Sequence, residues 1–282
     1  MIKTNKIGAV VVLYNPSKKE VLENIESFSS LVGKIFIIDN SDKASDINEN
    51  TFSRFLNADY INNQSNLGIA AALNIGARLA IKDNCNWLLT MDQDSRVTVD
   101  MITMMLKAID KYSNIGMISP VHAGKTIAAI TNKPDFEEVD SAMTSGNLLY
   151  LEAFITVGPF EEKLFIDYVD HEYCFRLKMN GFKIILANKA ILEHNLGRIA
   201  KHKLGLITTN HNFIRRYYMT RNRLWIREKY KNDFPAFFRH DYPAMWKELV
   251  KILLYEKDKL KKIRAFFLGV YHFKINKFGK LN

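Results

Sequence analysis

The apolar positions in the first half of the chain follow two alternating patterns. Buried strands are predicted by short continuous runs of apolar, β-branched residues, at positions 7–14, 34–39, 57–62, 87–91 and 115–119. Amphipathic helices are predicted by apolar residues at helical spacing, over positions 17–32, 69–82 and 99–112. Strands that alternate with such helices are typical of parallel βαβ units with right-handed crossovers. The pattern therefore predicts an α/β fold with a mostly parallel central sheet flanked by helices.

Local signals mark the ends of some of these helices. Ser17 and Glu20 have the spacing of a capping box at the start of the first helix, and Gly33 predicts its end. In the second half of the chain the segments are shorter. A helix is predicted there over positions 169–180, with Gly181 as its stop signal.

Composition narrows the class of protein. Of the 282 residues, 48% are hydrophobic and 25% are charged, which is ordinary for a globular protein and argues against long disorder. The apolar runs are shorter than the ~18 residues that a membrane-spanning helix needs. Cys85 and Cys174 are too few for a disulfide scaffold and lack the spacing of a metal site. A reduced, cytoplasmic interior is the simplest setting for such a chain.

Polar side chains follow three of the predicted strands. Tyr14 ends the first strand, Asp39 ends the second, and Asp92 and Asp94 follow the fourth. In an open parallel sheet, ligands bind beyond the carboxyl ends of the strands. Two carboxylates one residue apart can face one cavity there, and they suit Mg²⁺ or Mn²⁺ bound together with substrate phosphates. The alternative is a polar loop in which Asp94 or Ser95 caps the next helix.

Several motifs then occur along the chain in order. They lie at positions 10–15 (VVVLYN), 38–41 (IDNS), 66–76 (NLGIAAALNIG), 88–95 (LLTMDQDS), 145–147 (SGN), 165–172 (FIDYVDHE) and 194–197 (HNLG). Together they resemble the family 2 nucleotide-sugar glycosyltransferases, particularly their rhamnosyltransferase-like branch, over positions 7–225. The resemblance implies the GT-A fold, a Rossmann-like sheet flanked by helices. The sequence departs from the family pattern at Val169, where the first carboxylate of a Glu-Asp pair is missing.

The resemblance implies roles for residues that bind the nucleotide sugar. Tyr14 would lie against the nucleotide base, and Asp39 would accept a hydrogen bond from the imide N–H of the base. Asn66 and Gly68 would let an amide and the backbone approach the ribose and the diphosphate. Each position also has a structural alternative: a core tyrosine at the strand end, a turn or cap carboxylate, and a loop that enters a helix.

The same resemblance implies the metal ligands and the general base. Asp94 would bind the divalent metal directly, Asp92 would lie near both ribose and metal, and His194 would complete the metal shell. Asp170 is the candidate general base, because the first turn of a helix keeps a carboxylate ionised and able to take a proton from a hydroxyl. Asp167 is the alternative base, or else the helix cap.

The positive charge is concentrated near the end of the chain. Positions 247–282 hold ten basic and three acidic residues, a net charge of +7, which leaves +3 for the rest of the total of +10. We therefore expect a nucleotide-sugar-binding and catalytic domain over 1–225 and a helical, basic extension over 226–282. The extension either lies on an anionic membrane surface at the inner face of the plasma membrane, or packs on the domain or in a homodimer. The nearly balanced main domain argues against a nucleic-acid partner.

The resemblance, supported by these features, implies an inverting, metal-dependent glycosyltransferase. The best candidate reaction moves L-rhamnose from dTDP-rhamnose onto a hydroxyl of a glycan or lipid-linked saccharide in cell-surface polysaccharide synthesis. One alternative is a sugar-phosphate nucleotidyltransferase, which would need a glycine-rich basic loop after the first strand. Another is a non-catalytic basic protein that binds membrane or nucleic acid, which would need basic and aromatic residues interleaved across the main domain.

Overall fold

The computed structural model describes residues 6–42, 46–123, 133–194, 200–201, 207–208 and 210–281. Its strands are β1 (Ile7–Leu13), β2 (Lys34–Asp39), β3 (Ala58–Asn62), β4 (Trp87–Asp92), β5 (Ser95–Val97), β6 (Ile115–Ala123), β7 (Phe136–Glu138), β8 (Asn147–Tyr150), β9 (Lys183–His194), β10 (Ala200–Lys201) and β11 (Ile207–Thr208). Its α-helices are α1 (Lys18–Glu26), α2 (Ile69–Lys82), α3 (Met101–Leu106), α4 (Leu151–Val157), α5 (Val169–Met179), α6 (Phe213–Tyr230), α7 (Pro235–Tyr255) and α8 (Lys259–Lys274).

One sheet forms the centre of the described chain. Its strand order is β3-β2-β1-β4-β8-β6-β9-β5, and β7 pairs with the first half of β9. The half that contains β3, β2, β1 and β4 is parallel, β6 and β9 are parallel to each other, and β8 runs antiparallel between β4 and β6. Every position of β1 is buried, as expected for a strand covered on both faces. The carboxyl ends of β1, β2 and β4 consequently meet at one edge.

Apolar layers cover the two faces of the sheet. Val10 belongs to the layer that contains α2, α4 and α5, and its neighbour Val11 belongs to the layer that contains α1 and α3. A Cβ at Gly76 would lie 2.3 Å from Cγ2 of Val10, so the glycine lets α2 approach β1 closely. The Asn74 amide donates to the Phe160 carbonyl at 3.0 Å and accepts from its N–H at 2.8 Å. The second half of the motif at positions 66–76 therefore packs α2 against β1 and against the segment around Phe160.

Three local predictions differ from the structure. Ser17 is the N-cap of α1, but its side chain makes no capping hydrogen bond, so the predicted capping box is wrong. The helix ends before Ser27 rather than at Gly33, because Phe28 leaves helical geometry with a φ of −137° and a short 3-10 turn, Ser29–Leu31, follows it. The third helix, α3, is shorter than predicted, and turns follow it.

Three helices form the C-terminal part of the described chain. Helix α6 packs along α8 and against α7. Its N-cap is Asn212, whose side chain accepts a hydrogen bond from the Arg215 N–H at 2.8 Å. Positions 225 and 226 lie inside α6, so the expected domain boundary falls within one continuous helix. Within the described ranges, we find no helix with the length and apolar character needed to cross a bilayer.

Candidate active site

Two cavities adjoin at the edge of the sheet where β1 and β4 end. The first cavity, of about 460 Å³, is lined by residues that follow β1, β2 and β4 and by the start of α6. The second cavity, of about 510 Å³, lies between the loop before β8, the start of α5 and α6. Both are lined by Ile69, Asp92, Ile166 and Arg215. This edge is where an open α/β sheet is expected to bind its ligands.

The paired carboxylates lie together at this edge. Asp92 ends β4 and lines both cavities, and Asp94 lines the first. The Asp92 N–H donates to Oγ of Ser145 at 3.1 Å, and this hydroxyl lies 2.9 Å from Oγ of Ser95, which fixes the turn from behind. Strand β5 begins at Ser95, and Asp100 is the N-cap of the next helix. The alternative in which Asp94 or Ser95 caps that helix is therefore wrong.

Gln93, the residue between the two carboxylates, holds the backbone of Tyr14. Its Oε1 accepts from the Tyr14 N–H at 2.8 Å, and its Nε2 donates to the Tyr14 carbonyl at 3.3 Å. The Tyr14 side chain is 46% exposed and lines the first cavity. The ring is therefore not a core tyrosine. Sequence reasoning missed Gln93, although an amide between two site carboxylates was a usable signal.

Asp39 lies deeper than Tyr14. Its side chain is buried, one oxygen accepts from the Ser41 N–H at 3.0 Å, and the other accepts from the Tyr60 hydroxyl at 2.7 Å. Burial, followed by this bond to Asp39, raises the pKa of Tyr60 above its usual range. The residue from this turn that lines the first cavity is Asn40. The expected contact between Asp39 and a nucleotide base stays a prediction.

Asn66 and Gly68 lie on one wall of the first cavity. The Asn40 amide donates to Oδ1 of Asn66 and to the Gly68 carbonyl, both at 3.1 Å, and Oδ1 of Asn66 also accepts from the Gly68 N–H at 2.9 Å. Gly68 has a φ of +90°, and a Cβ there would lie 2.6 Å from the Phe165 carbonyl oxygen. Only glycine fits this close approach. Gly68 therefore brings the wall of the first cavity into contact with the loop before α5.

Asp170 and Asp167 both line the second cavity. Asp170 lies in the first turn of α5, and one of its oxygens accepts from the His171 N–H at 2.9 Å. Asp167 pairs with Arg215, whose guanidinium lies 3.0 Å from Oδ1. Burial raises the pKa of Asp167, and Arg215 opposes the shift. The structure thus brings both candidate bases to one cavity, with the Asp167 carboxylate held by an arginine.

The loop that carries Asp167 is held by α6. Asp167 and Tyr168 have φ values of +63° and +65°, which non-glycine residues adopt only when the surroundings enforce them. The Asn222 amide donates to the carbonyls of Leu164, Ile166 and Asp167 at 2.8–2.9 Å. The fully buried Arg221 donates to the Leu164 carbonyl at 3.0 Å. These two residues position the loop before α5, a function that sequence reasoning did not predict.

The second cavity contains further polar groups that come from separate parts of the chain. His122 on β6 bonds through Nε2 to the Ser145 carbonyl at 2.7 Å. The Tyr168 hydroxyl donates to Asp241 of α7 at 2.8 Å, and Arg223 of α6 contacts both of them. Their positions in sequence share no motif spacing, so only the fold reveals that they face one space.

Two of the predicted metal ligands, Asp92 and Asp94, lie among the described side chains. Asp92 and Asp94 face the same cavity, which is the donor set that Mg²⁺ and Mn²⁺ use together with phosphate oxygens. The described residues contain no group of three or more His, Cys, Asp or Glu side chains arranged for a metal. The backbone of His194 pairs with Ser95, one residue after Asp94. Its side chain lies outside the part of the chain that the structure describes, so its predicted role stays a prediction.

Comparison with known proteins gives consistent results. Residues 9–160 match the family Glycosyl transferase family 2. The dTDP-rhamnosyl transferase RfbF of Shigella flexneri is 27% identical over 241 residues, 77% of this chain and 78% of that protein. TarS 1-349 of S. aureus in complex with UDP-GlcNAc has a TM-score of 0.63 at 14% identity, over 96% of this chain and 88% of that chain. Mannosyltransferase PcManGT from Pyrobaculum calidifontis in complex with GDP-Man and Mn2+ has a TM-score of 0.57 at 11% identity, over 94% and 73%. These structural likenesses confirm the predicted α/β fold of the GT-A type.

Proposed function

The chain belongs to glycosyl transferase family 2, and on that premise we propose that it moves L-rhamnose from dTDP-rhamnose to a hydroxyl of a glycan or lipid-linked saccharide in cell-surface polysaccharide synthesis. One observation carries the proposal: Asp92 lies on the wall shared by two cavities. One cavity contains an exposed tyrosine and a second carboxylate, and the other contains two candidate bases. This arrangement suits a donor and an acceptor that meet at Asp92.

The first cavity would bind the nucleotide sugar. Tyr14 would lie against the base. Asp39 would either hold the turn after β2 in place or accept a hydrogen bond from the base itself. Asn66 and Gly68 would lie along the ribose and diphosphate. Arg215, which lines both cavities, would place its positive charge near the phosphates. Such fixed charges stabilise the leaving group without reorganising when the bond breaks.

Asp94, Asp92 and His194 would hold a divalent cation, Mg²⁺ or Mn²⁺. When bound, such a cation supplies Lewis-acid stabilisation of the diphosphate leaving group. The two described carboxylates fit this use because they reach one cavity from a turn fixed by Ser145. Gln93 links the same turn to Tyr14, so the base-binding and phosphate-binding sides share one support.

The second cavity would bind the acceptor. Asp170 would accept the proton of the acceptor hydroxyl, which attacks the anomeric carbon opposite the diphosphate and inverts its configuration in one displacement. We favour Asp170 over Asp167, because the Asp167 carboxylate is paired with Arg215. Both oxygens of Asp167 already accept from the Arg215 guanidinium, so they are less free to accept a hydrogen bond from the acceptor hydroxyl.

A panel of donors tests the proposal. Thermal stabilisation and slow donor hydrolysis would be measured with dTDP-rhamnose, UDP-GlcNAc and GDP-mannose, each with Mg²⁺, Mn²⁺ or chelator. We expect the largest stabilisation from dTDP-rhamnose with metal. Stabilisation by only a UDP- or GDP-linked sugar would reject the donor assignment. Binding that is equal with and without chelator would reject the metal-dependent donor site.

The C-terminal extension would place this enzyme on the cytoplasmic surface of the membrane. One face of α7 and α8 packs inward through Met245, Ile252 and Phe266. The outer face exposes apolar side chains at helical spacing, namely Trp246, Val250, Leu253 and Leu254 on α7 and Leu260, Phe267, Leu268 and Tyr271 on α8. Exposed basic residues flank them, namely Lys247, Lys257, Lys259, Lys261 and Arg264. An apolar face with basic neighbours suits an anionic lipid surface.

Vesicle sedimentation tests this surface. We expect the chain to sediment with phosphatidylglycerol vesicles and much less with phosphatidylcholine. The double substitution Leu254→Glu and Phe267→Glu should abolish sedimentation, whereas Leu56→Glu, at an exposed leucine of the main domain, should not. Equal sedimentation of the double variant and the unsubstituted protein would remove the extension from membrane binding.

A further inference from the structure

The segment that follows α8 returns to residues that adjoin the first cavity. The Gly279 N–H donates to the Lys163 carbonyl at 2.8 Å, and the Leu281 N–H donates to the Tyr218 hydroxyl at 2.7 Å. Arg221 of α6 donates to the Gly279 carbonyl at 2.9 Å. These bonds place the end of the described chain against the loop before α5. The same segment also reaches the turn after β2, which lies 238 positions before Lys280 in the sequence.

Lys280 is the side chain that completes this return. Its Nζ lies 2.6 Å from Oδ1 of Asp42, in the turn after β2. Beside this pair is an open cavity of about 540 Å³, which is lined by Lys280 and also by Asn66 and Phe165. Asn66 and Phe165 line the first cavity as well. The ion pair is thus at the rim of the space assigned to the donor.

Asp42 joins the two loops that form that rim. Besides Lys280, it accepts from the Asn66 N–H at 3.1 Å and from the Tyr14 hydroxyl at 3.4 Å. The bond to Lys280 is the main reason that the pKa of Asp42 lies below its usual range, and the bonds to Asn66 and Tyr14 act in the same direction. One carboxylate therefore connects the base-side tyrosine, the ribose-side loop and the C-terminal segment.

We propose that Lys280 is a positioning residue of the nucleotide site, which holds Asp42 so that Tyr14 and Asn66 are preset for the donor. This inference rests on the proposed function. The pair is too exposed to stabilise the fold much, since the side chains of Lys280 and Asp42 are 43% and 38% exposed. Its effect should appear in binding, because loops that are already ordered lose less entropy when a ligand arrives. The C-terminal segment is then part of the donor site.

Calorimetric titration with dTDP, UDP and GDP in the presence of Mn²⁺ tests the inference. For whichever nucleotide the unsubstituted protein binds best, Lys280→Met should weaken binding by about fivefold, and Lys280→Arg should restore most of it. Lys277→Met is the matched control, at an exposed lysine of the same segment. Asp42→Asn keeps an acceptor for Asn66 but removes the charge, and combining it with Lys280→Met should add nothing further.

The outcomes separate the two proposals. Wild-type affinity in Lys280→Met overturns the positioning role while the proposed function stands. Equal losses in Lys280→Met and Lys277→Met also overturn it, because they indicate a general charge effect. A lower melting temperature that accounts for the lost binding, with no rescue by Lys280→Arg, indicates a structural role and overturns it as well. An unsubstituted protein that binds none of the three nucleotides overturns both proposals.

Discussion

Arg215 and Asp167 form an ion pair at the wall between the two cavities, with the guanidinium 3.0 Å from Oδ1. The arginine comes from the first turn of α6 and the aspartate from the loop before α5. The pair therefore joins α6 to the loop that precedes Asp170, the candidate base. Any change in the ionisation of Asp167 acts directly on this junction.

Asp167→Asn should alter how stability depends on pH. Burial raises the pKa of Asp167, with Arg215 opposing, so folding disfavours the charged form. Its contribution to stability is complete below the unfolded pKa of about 3.9 and is lost as pH rises through the folded pKa. The variant lacks this titration, so its melting temperature relative to wild type should improve as pH rises from acid to neutral. A difference that is constant with pH would show that Asp167 does not titrate as described.

Asp94→Asn should abolish metal-dependent transfer. The carboxylate would lose its charge next to the diphosphate, and we expect activity to fall by at least about 100-fold. Initial rates with dTDP-rhamnose over a Mn²⁺ titration would measure the effect. Asp100→Asn is the matched control, because Asp100 is the N-cap of α3 and does not line either cavity. Near-normal rates in Asp94→Asn at saturating metal would exclude Asp94 as a ligand.

Asp170→Asn should remove the chemical step but keep donor binding. Loss of a general base typically lowers kcat by about 10²–10⁴-fold. Donor affinity should be unchanged, because Asp170 lines only the second cavity. Asp167→Asn should lower kcat less. The reverse order of the two variants, at equal donor affinity, would identify Asp167 as the base.

Gly68→Ala should destabilise the protein more than Gly181→Ala. Both glycines have positive φ, +90° and +79°, but a Cβ at Gly68 meets the Phe165 carbonyl at 2.6 Å whereas Gly181 has open space. Gly181→Ala should therefore cost only the penalty of about 1–2 kcal/mol for an L-residue with a left-handed backbone. Urea unfolding would measure the difference, and only Gly68→Ala should also weaken donor binding. Equal losses would mean that the clash relaxes without consequence.

Sequence reasoning predicted the parts of the structure that follow from local pattern. The strand Lys34–Asp39 and the helix Ile69–Lys82 have the predicted bounds, because continuous apolar runs and helical spacing are local properties. The confirmed fold and family follow from motifs that lie in order along the chain. Asp92 and Asp94 could be placed at one cavity because strand ends and binding edges coincide in parallel sheets.

The remaining parts depend on contacts between residues distant in sequence. Nothing near Asn222 indicates that its amide meets the loop before α5, 55 to 58 residues earlier. Gln93 could be suspected, but its bond to Tyr14 requires the register of β1 with β4. In the sequence Lys280 is one of several basic residues in an amphipathic extension, and only the fold brings it to Asp42.

The three hydrogen bonds of the Asn222 amide have a consequence for where chimeras of this protein can be joined. A chimera joined between residues 225 and 226 would keep the asparagine with the sheet but would pair its helix with foreign neighbours. Any small rotation of that helix would be transmitted through one amide to the carbonyls of Leu164, Ile166 and Asp167. A chimera between relatives should therefore take the loop before α5 and the helices α6, α7 and α8 from the same parent.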